Sequence, residues 1–261
     1  MVTRRELLLD STASLLPAKV MAIAERENIS WSESRDNMTA LAATAENREL
    51  DQKAVAERGM RHLKQLDILD PETVCVHAVW LDEKDISTLK ASGASVASCP
   101  ESNMKLAAGI APLDRYVEEG IPVGLGTDGC ASNNNLDMFG EMAAAAKIHK
   151  INRQDPTILP AAEVFRMATA GGAEILGLQD ETGRLEIGMQ ADIIIVDLQK
   201  PHLTPMYHVD SVLAYAASGS DVKTSIINGK LVMENYQLQS IDPAEVMARV
   251  NGLARQVIAA T

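Results

Sequence analysis

Over the first two thirds of the chain, short apolar runs alternate with longer stretches whose apolar residues recur at helical spacing. Helical spacing over 15–27 is followed by a short strand over 29–34 and a charged amphipathic helix over 51–66. Val74, Cys75 and Val76 form an apolar run that predicts a buried strand ending at His77. A helix over 83–92, a strand over 94–97 and a helix over 113–119, stopped by Gly120, come next. The strand over 122–125 ends at Thr127 and Asp128. This alternation predicts parallel strands joined by right-handed helical crossovers. In such folds the loops that follow the strand ends build the site, and polar residues gather there in this chain.

The last third changes character. A helix over 161–176 gives way to a turn-rich link punctuated by Gly177 and Gly183. A strand over 191–197 is flanked by Asp192 and Asp197. The segments 222–227 and 230–233 predict a hairpin, because Asn228-Gly229 supplies the two positive φ angles of a type I′ turn. A helix over 243–259 closes the pattern. The change divides the chain into an α/β part over 1–182 and a smaller β part with a final helix over 183–261.

Composition narrows the functional classes. Aromatic residues make up only 3% of the 261 residues, so aliphatic side chains and the twelve Met residues must fill the interior. The net charge of -12 disfavours contact with nucleic acid or an anionic membrane surface. The apolar run Leu7-Leu8-Leu9 is too short for a signal sequence or a span. Three cysteines with no CxxC pattern point to reduced thiols in a cytoplasm rather than a disulfide framework or a cysteine zinc site.

Candidate chemistry lies at the strand ends. Asp128, within Gly126-Thr127-Asp128-Gly129, can ligate a metal or accept a proton, although Asp-Gly is equally a turn sequence. Ser132, Asn133, Asn134, Asn135 and Asp137 add five polar side chains just downstream. His77 suits a general acid, a general base or a ligand, and a core histidine as well. Glu33, after Trp31 and Ser32, is a strand-end carboxylate or a plain surface charge. The run from Pro100 to Leu106, which includes Asn103 and Lys105, reads as a polar loop suited to positioning a ligand.

Several of these segments, in this order and spacing, resemble the amidohydrolase superfamily. They are Val76-His77-Ala78-Val79-Trp80-Leu81, Cys99-Pro100-Glu101-Ser102-Asn103-Met104-Lys105-Leu106 and Gly109-Ile110-Ala111-Pro112. They continue with Gly126-Thr127-Asp128-Gly129, Ser132-Asn133-Asn134, Leu136-Asp137-Met138, Met167-Ala168-Thr169, the stretch from Gly183 to Gly188, and Ala191-Asp192. The resemblance is nearest to the C-terminal portion of the 5-methylthioadenosine/S-adenosylhomocysteine deaminase group, beside the chlorohydrolase-like enzymes.

The resemblance implies a partial TIM-like (β/α) barrel of about the last four strands, then part of a β-sandwich and a helix. It implies a hydrolase acting on non-peptide C–N bonds, a nucleoside substrate and a divalent metal, zinc or iron, whose bound hydroxide attacks the ring. By the same resemblance Asp128 is a metal ligand and proton acceptor. His77 orients the attacking water, Glu33 protonates the purine, and Ser132 and Asn103 contact substrate. The family's His-x-His pair is absent, since the histidines are His62, His77, His149, His202 and His208. Ser30 stands where the fifth-strand histidine ligand belongs. These departures imply an impaired metal site in the isolated chain. A half barrel with open sheet edges also implies a homo-oligomer or a complementing chain. The alternatives are a non-catalytic binding or assembly subunit and a gene fragment.

Overall fold

The computed structural model describes residues 59–260, with side-chain environments through 258. The expectations over 15–27 and 29–34, and with them Ser30 and Glu33, lie outside the described residues. The chain folds as two compact units. The described part of one comprises 59–74 and Trp80–Ala94; the other comprises Cys75–Val79 and the chain from Ser95 onward.

In the first unit a helix covers 59–65, and α1 spans Glu83–Ser92. Asp82 starts α1 by accepting the Asp85 N–H at 2.9 Å, while the Asp85 carboxylate takes the Asp82 N–H. This reciprocal box satisfies two backbone donors that a helix start otherwise leaves unpaired. Gly93 ends the helix at φ 74, a left-handed conformation that glycine adopts without a Cβ clash.

The second unit carries a three-stranded sheet in the order β1 (Val74–Val76), β2 (Ser95–Ser98), β3 (Val123–Leu125). Strands β2 and β3 run parallel, with Val96 opposite Val123 and Ser98 opposite Leu125. Val96 and Val123 are fully buried, as apolar runs without polar alternation require of a sheet covered on both faces. The segment after β2 is a helix, α2 (Pro100–Lys105), and not the loop expected from its polar residues. Pro100 at the first helical position, Glu101 in the first turn and Lys105 in the last supply the start and stop signals. The helices α3 (Leu113–Glu118), α4 (Cys130–Asn133) and α5 (Met138–Arg153) follow.

The helix expected over 161–176 is broken. Thr169, at φ -124 and ψ -95, separates α6 (Ala161–Ala168) from α7 (Ala170–Ile175). The restarted helix lies very close to β3. A Cβ on Gly171 would sit 2.5 Å from the Val123 carbonyl oxygen, and one on Gly124 would sit 2.6 Å from Ile175 Cδ1. Backbone atoms block the first position and cannot move aside as a flexible side chain could. Gly171→Ala is therefore expected to destabilise the chain by about 2–3 kcal/mol in urea unfolding, as overpacking of a tight contact does. A change within about 0.5 kcal/mol, the range of an unremarkable surface substitution, would contradict this packing.

Beyond α7, an antiparallel sheet runs in the order β4 (Ile193–Val196), β5 (Val222–Ile227), β6 (Lys230–Glu234), β7 (Gln237–Leu238). The β5–β6 hairpin turns at Asn228 (φ 49) and Gly229 (φ 73), as Asn-Gly predicts. Helix α8 (Val209–Tyr215) lies between β4 and β5 in sequence, and α9 (Pro243–Ala260) closes the chain. The fold is thus mixed α/β, with one parallel and one antiparallel sheet. No helix among the described residues is long and apolar enough to cross a membrane.

Candidate active site

Three successive strand ends of the second unit deliver polar side chains to one place. β1 ends at His77, β2 leads into α2 with Ser102 and Asn103, and β3 leads to Asp128. His77 (φ 67), Ala78 (φ 45) and Asp128 (φ 58) all hold left-handed backbone conformations. For residues other than glycine such conformations are uncommon and persist only where neighbouring bonds hold them. The His77 N–H donates to the Ala97 carbonyl at 2.9 Å, which fixes the turn at the end of β1.

Asp128 Oδ2 is the centre. It accepts the Ser102 hydroxyl at 2.6 Å and the Ser132 hydroxyl at 2.5 Å. His77 Nε2 lies 3.9 Å from the same oxygen. The Ser102 hydroxyl first, and then that of Ser132, hold the Asp128 carboxyl below its ordinary range; the Gly129 N–H and His77 act in the same sense. Asp128 is therefore an anion at neutral pH, and about a third of its side chain faces open space.

Asn103 is buried, and its Oδ1 lies 2.9 Å from His77 Nδ1. An amide oxygen there accepts the hydrogen bond of Nδ1–H, and in the neutral imidazole this tautomer makes Nε2 the acceptor on the side of Asp128.

Of the five polar residues downstream of Asp128, only Ser132 bonds to it. Asn133 is buried and donates to the Thr127 carbonyl at 2.8 Å and to Glu141 Oε1 at 2.7 Å. The Asn134 side chain accepts from Lys105. Asn135 accepts the Asp137 N–H, and Asp137 caps α5 through the Phe139 N–H. The polar run thus shapes a loop more than it lines a site.

Ser102 and Glu141 went unmarked in the sequence. Glu141 is completely buried on α5, and its Oε2 accepts the Glu101 N–H at 3.0 Å. Burial chiefly, with the nearby Glu101 and Asp128 charges, raises its carboxyl from the ordinary 4.5 to about 7. Between those values the folded chain holds a proton that the unfolded chain has released. Stability from this group is therefore greatest below pH 4.5 and falls as pH rises to about 7. At about 1.4 kcal/mol per unit the loss is on the order of 3 kcal/mol. Urea unfolding of wild type and Glu141→Gln across this window is expected to show the wild type's advantage shrinking as pH rises. A pH-independent difference would contradict it.

The described residues alone do not fit a catalytic metal. No group of three or more His, Cys, Asp or Glu side chains comes together among the described residues. Around Asp128 the nitrogen and carboxylate donors are that carboxylate and His77, whereas a catalytic zinc takes three protein ligands and a water. Burial, then the Asp128 and Glu141 charges, push the nearby Cys99 thiol up to about 12. No histidine precedes His62 in the sequence.

Comparison with known proteins places the chain in a family. The amidohydrolase family model matches residues 18–232. A 5-methylthioadenosine/S-adenosylhomocysteine deaminase of Syntrophus aciditrophicus is 48% identical over 217 residues, which are 83% of this chain and 49% of the relative. A 5'-deoxyadenosine deaminase of Methanosarcina mazei is 48% identical over 197 residues, 76% of this chain and 45% of the relative. Among solved structures, an adenosine deaminase from Xanthomonas campestris with bound zinc superimposes with a TM-score of 0.76 at 38% identity. It covers 79% of this chain and 48% of that one. The chain spans about half the length of the curated relatives it matches. The family match, carried over most of the sequence, shows that the chain belongs to the amidohydrolase family.

Proposed function

We propose that the chain supplies one half of a hydrolytic deaminase site for adenine-containing nucleosides, with Asp128 as the proton acceptor. The observation that carries the reading is the Asp128 carboxylate, ionised, anchored by Ser102 and Ser132 and facing His77. Deaminase names on relatives at 48% identity supply the substrate class.

In the reaction a water oxygen bonds to C6 of the purine as its proton passes to Asp128. His77, held through Nδ1 by Asn103, accepts a hydrogen bond from that water at Nε2 and sets its direction. Ring nitrogen N1 takes a proton, a role assigned to Glu33 by resemblance and lying outside the described residues. The C6–N bond then breaks, the proton held by Asp128 leaves with ammonia, and the remaining hydroxyl proton returns to the group that protonated N1 as C6=O forms, giving a 6-oxopurine. Ser132, half-buried beside Asp128, is the side chain best placed to touch substrate. Asn103 is buried and engaged with His77, so its part is to hold the imidazole.

A zinc or iron ion has too few donors among the described residues, and no step is assigned to it. The three strands β1–β3 with their helices correspond to a stretch of (β/α) barrel within 1–182, and the sheet β4–β7 to part of a β-sandwich within 183–261. A second chain, or a second copy of this one, would complete the donor set and cover the sheet edges. Cytoplasmic residence accords with the three free thiols.

A hybrid protein tests the reading. The N-terminal half of the Syntrophus aciditrophicus deaminase, joined to residues 59–261 of this chain, is expected to release ammonia from 5-methylthioadenosine. The purified 261-residue chain alone is expected to release none. A folded, zinc-loaded hybrid without turnover would sink the proposal.

A further inference from the structure

We propose that Glu141 is a positioning residue for Asp128, acting through a closed ring of hydrogen bonds that fixes the loop after β3. The proposal rests on the reading of Asp128 as the acting group. Starting from Asp128, its Oδ2 accepts the Ser102 hydroxyl at 2.6 Å. Ser102 follows Glu101 in α2, and the Glu101 N–H donates to Glu141 Oε2 at 3.0 Å. Glu141 Oε1 takes one Asn133 amide proton at 2.7 Å. The other Asn133 proton goes to the Thr127 carbonyl at 2.8 Å, and Thr127 is bonded to Asp128. The ring returns to its origin through three separate segments of chain.

Three of its polar members lie in the interior: Glu141 and Ser102 are fully covered, and Asn133 nearly so, while Asp128 stays exposed. A carboxylate is a costly way to fill space in a core, and an apolar side chain of that size would pack without the desolvation penalty. What the Glu141 carboxyl adds, once it gives up its proton at about pH 7, is two acceptors set at a fixed distance. One holds the start of α2, and so the Ser102 hydroxyl. The other uses up an Asn133 proton and thereby fixes which way the Asn133 amide faces. With the amide so fixed, Asn133 grips the peptide just before Asp128 and holds the left-handed conformation there (φ 58). The Asn133 N–H, bonded to the Gly129 carbonyl at 2.9 Å, closes the loop from the other side. Glu141 touches no reacting atom in this arrangement. It holds the carboxylate and the serine hydroxyl that does touch it in mutual register.

Hydrogen exchange on the full chain above pH 7, where Glu141 is ionised, tests this without any need for turnover. In Glu141→Gln one of the two acceptors becomes a donor, so either the Glu101 N–H or the Asn133 amide loses its partner. Exchange in peptides covering 99–106 and 126–134 is expected to quicken about tenfold, the mark of local opening, while the hairpin over 222–234 is unchanged. The double variant Asn133→Asp with Glu141→Gln separates positioning from mere packing. The amide introduced at position 141 can donate to the carboxylate introduced at position 133. Its oxygen can still take the Glu101 N–H, but nothing remains to grip Thr127. Fast exchange is then expected at 126–129 alone, with 99–106 protected. In the hybrid this double variant is expected to lower kcat about tenfold or more with KM little changed, since binding groups stay in place. Unchanged exchange at 126–129 in both variants would overturn the proposal. So would uniform acceleration that includes the hairpin, which would make Glu141 a general core residue. A failed deaminase reading shows itself separately, as a hybrid without turnover whose exchange pattern still follows the ring.

Discussion

Asp128→Asn in the hybrid is expected to cut ammonia release by about 10³-fold, the middle of the range that positioned proton transfer supplies. The substitution isolates the chemistry well. Asn keeps the volume of Asp and tolerates the left-handed backbone at φ 58, so the loop after β3 keeps its shape. Its oxygen still accepts from Ser102 or Ser132. It cannot take a proton from water. KM is expected to stay within about threefold, because substrate contacts are untouched. Asp128→Ala would confound the result, since it would add backbone strain to the loss of the carboxylate. Retention of activity within about tenfold of the parent hybrid would remove Asp128 from the role of proton acceptor.

His77→Asn is expected to cost about 10²-fold, the lower end of the same range, because in the proposed reaction the imidazole directs the water and does not take its proton. Asn again suits the backbone, here at φ 67. It is too short to reach both Asn103 and the space before Asp128. The measurement is kcat at saturating nucleoside. A variant as active as the parent would reduce His77 to a well-satisfied core histidine.

Much of the fold was legible because short apolar runs announce buried strands. Val74 to Val76, the run over 94–97 and the run over 122–125 each became a strand within a residue or so, and Asn228-Gly229 fixed the hairpin. Helix α5 carried no such announcement. Its buried face includes Glu141 and His149 among small alanines, so polar residues interrupt the apolar period where it faces the core. The break at Thr169 was hidden as well, since helical spacing continues across it. The demand for the break is tertiary, in the approach of Gly171 to the Val123 carbonyl.

The site divides along the same line. Asp128, His77 and Ser132 could be read from their places after strands, because position along a strand is a local property. Ser102 and Glu141 could not. Ser102 meets Asp128 across 26 residues, and Glu141 meets the Glu101 backbone across 40. Nothing near either residue in sequence marks it as a partner. The cluster from Asn133 to Asp137 erred in the other direction, since caps and turns use the same residue types as binding sites do.

The central claim is that the Asp128 site, as built from the described residues, carries too few donors to hold a metal by itself. Zinc content by mass spectrometry, on the purified chain and the hybrid dialysed side by side, tests it most directly. The expected result is far less than one zinc in the chain and about one in the hybrid, as a catalytic site with its full ligand set would hold. Stoichiometric zinc in the isolated chain, or none in a folded hybrid, would contradict it.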